Sequence, residues 1–106
     1  MKTVLVRYQV KPEFADENQR LVEQVFAQLA QEKPAGLRYQ AFRLSDGVSF
    51  AHVASHEGAG GTPLVRLEAF RAFAAGIEDR CQEPPVAVDM EPIGRYDAQQ
   101  PAGVDQ

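Results

Sequence analysis

The chain has no tryptophan and only one cysteine, Cys81. A lone thiol excludes an intramolecular disulfide framework and leaves no CxxC pair for metal or redox work. The two histidines, His52 and His56, stand four positions apart, and neither HxH nor HExxH spacing occurs. No apolar run approaches the ~18 residues that a membrane span requires. Net positive charge is missing too. The formal charge is −4, with Lys and Arg interleaved among acids, which argues against a phosphate-binding surface. Met1-Lys2 leads straight into a strand pattern, so no signal-peptide pattern precedes it. These absences set the expectation of a cytoplasmic protein with neither a membrane nor a nucleic-acid partner.

What is present is an order of patterns: strand, helix, strand, strand, helix, strand. At 106 residues this is one domain, expected over 1–97 with a disordered tail over 98–106. The strands are expected around Val4–Val10, Leu37–Leu44, Val48–Ser55 and Val86–Met90. The first alternates Val4, Val6, Tyr8 and Val10 against Thr3, Leu5, Arg7 and Gln9, the period of a sheet. Leu21, Val22, Val25, Phe26 and Leu29 make the stripe of the first helix. Thr62-Pro63 reads as a capped start for the second, which carries Leu64, Leu67, Phe70, Phe73, Ala74 and Ile77 toward Cys81. Pro84-Pro85 is expected to end it. This order is the split βαβ, or ferredoxin-like, α+β fold, with both helices on one face of an antiparallel sheet.

The middle strands form a hairpin around Ser45-Asp46-Gly47, with the glycine in the left-handed position. That loop pairs Leu44 with Val48. It sets His52 opposite Gln40 and places Arg38, Gln40, Phe42 and Leu44 on the face of Phe50 and His52. Both faces hold apolar residues, as expected if one packs on helices and the other on a second copy of the chain.

The Gly-rich loop before the second helix, together with Phe70-Arg71-Ala72-Phe73, Gly76-Ile77, Asp79-Arg80-Cys81 and Pro84-Pro85, resembles the dimeric α/β-barrel superfamily. Within it the chain is similar to small proteins of the antibiotic biosynthesis monooxygenase type, over roughly residues 2–96. The resemblance implies a homodimer whose two sheets close into a barrel, with a ligand cavity between sheet and helices in each subunit. Characterised cofactor-free monooxygenases and haem-degrading relatives rely on an Asn and a Trp near that pocket. This chain has no Trp, and its one Asn, Asn18, is expected at the exposed start of the first helix. Haem degraders also use a His on the second helix, where this chain has none.

His52 is the expected catalytic residue. An imidazole in an apolar pocket can take a proton from an acidic phenol or enol, and the resulting carbanion could react with oxygen without a cofactor. The competing reading makes His52 and Gln40 a satisfied polar pair at a dimer interface. Arg7, Tyr8, Tyr39, Gln40 and Phe50 are the expected substrate-binding residues, since tyrosine both donates and accepts while arginine offers a planar fork. No metal is expected: four residues of strand span ~13 Å, too far for His52 and His56 to share an ion. Gly58–Gly61 lacks a phosphate-loop lysine and reads as a lid or connector. Of the strand aromatics that stack RNA bases only Phe50 is in place. Two functions stand against each other: a cofactor-independent oxygenase acting on an aromatic or enolic compound, or a non-catalytic homodimer that binds a small ligand or a protein.

Overall fold

Alternation in the first strand points Val4, Val6, Tyr8 and Val10 to one side, and the sheet is built around that strand. The computed structural model describes residues 2–57 and 62–98. The Gly58–Gly61 loop and residues 99–106 of the expected tail lie outside the described residues. Strand β1 (Lys2–Val10) is followed by a 3-10 turn, Pro12–Phe14, and helix α1 (Ala15–Glu32). Strands β2 (Leu37–Arg43) and β3 (Ser49–His56) come next. A second 3-10 turn, Pro63–Arg66, leads to helices α2 (Glu68–Ala75) and α3 (Ile77–Arg80), and β4 (Cys81–Met90) completes the sheet. Its order is β2-β3-β1-β4, antiparallel throughout. This is the ferredoxin-like fold expected from the pattern.

Register differs from expectation by one residue, with consequences for the whole hairpin. Leu44 pairs with Ser49 through a 2.8 Å backbone bond, so the loop holds Ser45, Asp46, Gly47 and Val48. The Asp46 carboxylate causes the slip. It accepts from the backbone N–H of Val48 and of Ser49, and from the Ser49 hydroxyl, a side-chain-capped turn. These bonds hold the Asp46 carboxyl below the usual carboxylate range, the Ser49 hydroxyl contributing most. Gly47 takes the expected left-handed conformation at φ 81°. Because side chains alternate with period two, one residue of slip moves all of β2 to the opposite face relative to β3. His52 therefore pairs with Ala41, and Gln40 with Val53. The face shared with Phe50, His52, Ala54 and His56 carries Leu37, Tyr39, Ala41 and Arg43.

Two further boundaries differ. The second helical stretch is broken: Leu67 is extended between the 3-10 turn and α2, and Gly76 separates α2 from α3. Strand β4 begins at Cys81, before the prolines. A 2.8 Å bond from Lys11 N to Arg80 O and the pairing of Val10 with Cys81 draw the chain into the sheet early. Pro84 and Pro85 fit there because β4 is an edge strand and its pairing with β1 is irregular between Arg7 and Gln9.

Helices cover the Tyr8 face. Tyr8, Val10, Val22, Val25, Phe50, Leu64, Leu67 and Phe73 are buried between the layers. On the other face Phe42, Val86, Val88 and Met90 are exposed, beside Leu5 and Val53 in the register of their neighbours. Among the described residues no helix is long and apolar enough to cross a membrane.

Candidate functional site

Three neighbouring strands set one polar side chain each into the apolar layer: Tyr8 from β1, His52 from β3 and Tyr39 from β2. Their spacing follows from the register. Val6 and Ala41 flank His52, and small or slim side chains there leave room for the longer tyrosines to reach over. The Tyr8 hydroxyl lies 2.8 Å from His52 Nε2, and the Tyr39 hydroxyl lies 2.6 Å from His52 Nδ1. Phe73 of α2 stacks on the imidazole at 5.5 Å between ring centroids. Phe26 of α1 stacks on Tyr39 at 5.1 Å.

The chain of polar groups runs further into the core. Asn18 of α1, with 0 % exposure, donates from Nδ2 to the Tyr8 hydroxyl at 2.9 Å. Its Oδ1 accepts from Nε of Arg80 at 3.2 Å. Arg80 is 6 % exposed and also donates to the Phe73 carbonyl at 2.7 Å. Arg80, Asn18, Tyr8, His52 and Tyr39 thus form one continuous network, buried from Arg80 to His52 and half-buried at Tyr39.

Burial fixes the protonation states. Loss of water lowers the His52 pKa from 6.5 to about 4, so at neutral pH the ring is uncharged. Burial likewise pushes both tyrosine hydroxyls up, with the Asn18 hydrogen bond opposing the rise at Tyr8. The network is neutral except at Arg80.

A cavity of about 470 Å³ opens between the sheet and the helices beside this network. Tyr8, Tyr39, His52 and His56 are polar residues of its wall, with Lys2 and Thr62 also lining it. Val4, Val6, Leu64, Phe70, Phe73 and Ile77 make most of the remaining wall. A mostly apolar cleft of this size with a few convergent polar groups is the ordinary form of a small-molecule site. His56 is 8 % exposed, and its Nδ1 has no hydrogen-bond partner among the described residues.

The expected residues divide between the two faces. Tyr8, Tyr39 and His52 meet in the cavity. Phe50 lies on the same face but behind Tyr8, stacked on it at 5.5 Å, and is absent from the cavity wall. Gln40 is corrected to the opposite face, where it pairs with Val53, and Arg7, on that face by the alternation of β1, pairs with Ala51 and Val86 and so stands away from the cavity. The polar pair of His52 with Gln40 is likewise replaced by the two tyrosines, for the reason of register given above. Asn18 is corrected from exposed to fully buried. Its spacing from Val22 and Val25 puts it on the buried stripe of α1, a signal present in the sequence. No comparable signal marks Arg80. Among the described residues no group of three or more His, Cys, Asp or Glu could hold a metal ion.

Sheet order and the helix layer define a ferredoxin-like α+β domain with a cavity between sheet and helices, and comparison with known proteins agrees with that fold. No family model and no curated protein matches the sequence. Solved structures do. The chain shares the fold of an antibiotic biosynthesis monooxygenase at TM-score 0.66, with 18% identity over 89% of this chain and 100% of the other. It is similar to PA3566 from Pseudomonas aeruginosa at TM-score 0.70, with 19% identity over 88% and 94% of the two chains. NE2512 from Nitrosomonas europaea, a protein of unknown function, matches at TM-score 0.68, with 22% identity and 96% of each chain covered. The fold is therefore that of the antibiotic biosynthesis monooxygenase-like proteins.

Proposed function

We propose that the protein binds an aromatic or enolic small molecule in the cavity between sheet and helices, and oxidises it as a cofactor-independent, monooxygenase-like enzyme. The observation that carries this reading is the Tyr8–His52–Tyr39 triplet in the wall of an otherwise apolar cleft. A flat ring would pack against Phe73 and Phe70, while its oxygen meets the Tyr39 hydroxyl. Both ring nitrogens of His52 are taken by tyrosine hydroxyls, so a ligand reaches His52 through Tyr39.

The chemistry needs the ligand as its enolate or phenolate. Its electron-rich ring C–H carbon then forms a C–O bond to dioxygen, and the peroxide anion takes a proton from water to give a hydroperoxide. Breaking the O–O bond and the C–H bond at that carbon releases water and leaves a carbonyl. The ligand is thus oxidised at one carbon from C–H to C=O, and dioxygen is reduced to peroxide and then water. A dry apolar wall protects that intermediate from side reactions.

Oxygen uptake with 1,3-dihydroxynaphthalene as the probe tests this directly. The protein should accelerate uptake over the buffer rate, and both Tyr39→Phe and His52→Phe should lower the acceleration at least about tenfold. Uptake equal to buffer, with the probe nonetheless bound, would favour a non-catalytic ligand-binding protein. The second reading also has an observation of its own. Phe42, Val86, Val88 and Met90 form an exposed apolar stretch on the open face, which suits packing against a second copy of the chain in a homodimer.

A further inference from the structure

The buried network has a direction, and Arg80 sets it. A guanidinium can only donate, so the atom of Asn18 facing Arg80 Nε must be its carbonyl oxygen. The Asn18 amide nitrogen then faces Tyr8 and must donate to the Tyr8 oxygen. Tyr8 has Asn18 and His52 as its hydrogen-bond neighbours. With one already donating to it, the phenolic proton goes to the other, so Tyr8 donates to His52 Nε2. A neutral imidazole carries a single N–H, which is then on Nδ1 and donates to the Tyr39 oxygen. The Tyr39 proton is left to point into the cavity.

We infer that the chain Arg80–Asn18–Tyr8–His52–Tyr39 is polarised in one direction, so that the cavity presents a hydrogen-bond donor and takes its ligand as an oxyanion or carbonyl acceptor. Arg80 and Asn18 are positioning residues in this scheme. Neither lines the cavity, and both act by selecting the His52 tautomer. The reverse arrangement would put the Nε2 proton on Tyr8, whose oxygen would then accept twice and lose its buried acceptor. The Arg80 guanidinium is itself held in place, by the Asn18 and Phe73 carbonyl oxygens and over the Phe73 ring.

The ligand half of this inference rests on the proposed function and deepens it. The network does not pull a proton from the ligand; it stabilises an oxygen that is already anionic, as preorganised donors do at an oxyanion. Acidic phenols and enols, partly ionised at neutral pH, fit that requirement.

Nitrogen-15 spectra of the histidine side chains at pH 7 test the polarity, with His56→Gln used to assign the signals. His52 should carry its proton on Nδ1. In Asn18→Asp the new carboxylate keeps the bond to Arg80 but cannot donate, so Tyr8 turns to it and the His52 proton moves to Nε2. A wild-type spectrum showing Nε2–H would overturn the polarity, even if Asn18→Asp fails to fold. So would a folded Asn18→Asp whose tautomer is unchanged. For the ligand half the probe is 4-nitrophenol, whose phenol and phenolate absorb differently. Its apparent pKa on binding should fall by about one unit, a tenfold preference for the anion, and Tyr39→Phe should abolish the fall. A rise would overturn the acceptor assignment. Absence of binding would overturn the ligand half together with the function it rests on, while the His52 spectrum still decides the polarity.

Discussion

The two faces of one sheet use the same alternating code and end in opposite conditions. On the helix side, β1 and β3 contribute Tyr8, Phe50 and His52, all buried and all fixed by a hydrogen bond or a stacked ring. On the open side the same strands contribute Arg7, Leu5 and Val53, and β4 adds Val86 at 60 % exposure and Val88 at 48 %. Tyr8, His52 and Tyr39 on the first face are bonded to one another, because an unpaired buried polar group costs ~1–3 kcal/mol. His56 Nδ1, without a partner among the described residues, is the exception there. Polar groups on the second face have water as an alternative and form few lasting contacts, the Thr3–Ser55 hydroxyl pair at 2.8 Å being an exception. Bonded polar side chains therefore concentrate where water is excluded, and the open face leaves apolar side chains exposed.

The helix-side layer depends most heavily on Phe73. It stacks on His52, packs against Tyr8 and lies under the Arg80 guanidinium. Phe73→Ala should destabilise the fold by ~3–5 kcal/mol, read as a shift in the urea midpoint.

Acid should reveal His52 next. Its pKa is 6.5 unfolded and about 4 in the fold, because of burial. The unfolded chain therefore binds more protons between those values, and stability falls as pH drops. The contribution is complete above the unfolded pKa and is lost by the time pH reaches the folded one, a change of about 3 kcal/mol. His52→Phe should flatten that part of the pH dependence, as followed by urea titrations across the window. An unchanged slope would show that His52 does not carry it.

Asn18→Leu removes a buried hydrogen bond from both Tyr8 and Arg80. It should cost ~1–3 kcal/mol and release the His52 tautomer, seen in the same nitrogen-15 spectra. Val88→Lys sits at the other end of the scale. As an exposed substitution it should change the stability of the isolated chain by no more than ~0.5 kcal/mol. Light scattering should nevertheless show it losing self-association if the open face is where two copies meet.

The fold was legible in the sequence because its information is periodic. Period two in Val4–Val10, a helical stripe through Val22 and Val25, and the Thr62 cap all reappear, the last as a 3.2 Å bond from Leu64 N to Thr62 Oγ1. The hairpin register was not legible, because it turned on where one carboxylate would bond. Asp46 captures the Val48 amide and lengthens the loop by a residue, and Gln40 and Tyr39 exchange faces as a result. His52 could be picked out as an odd polar residue in a strand, but its partners could not. Asn18 carried a usable signal in its spacing, masked by its polarity. Arg80 carried none, since nothing local distinguishes a charge turned inward at the α3–β4 junction from one in water.

We expect the helix-side cavity, and not the open face, to take up a small aromatic molecule. Amide and methyl chemical-shift mapping with 1-naphthol tests it most directly. Shifts should concentrate at Val6, Tyr39, His52, Phe73 and Ile77, and should weaken in Tyr39→Phe. Shifts confined to Phe42, Val86 and Val88, with the cavity residues unmoved, would contradict the account.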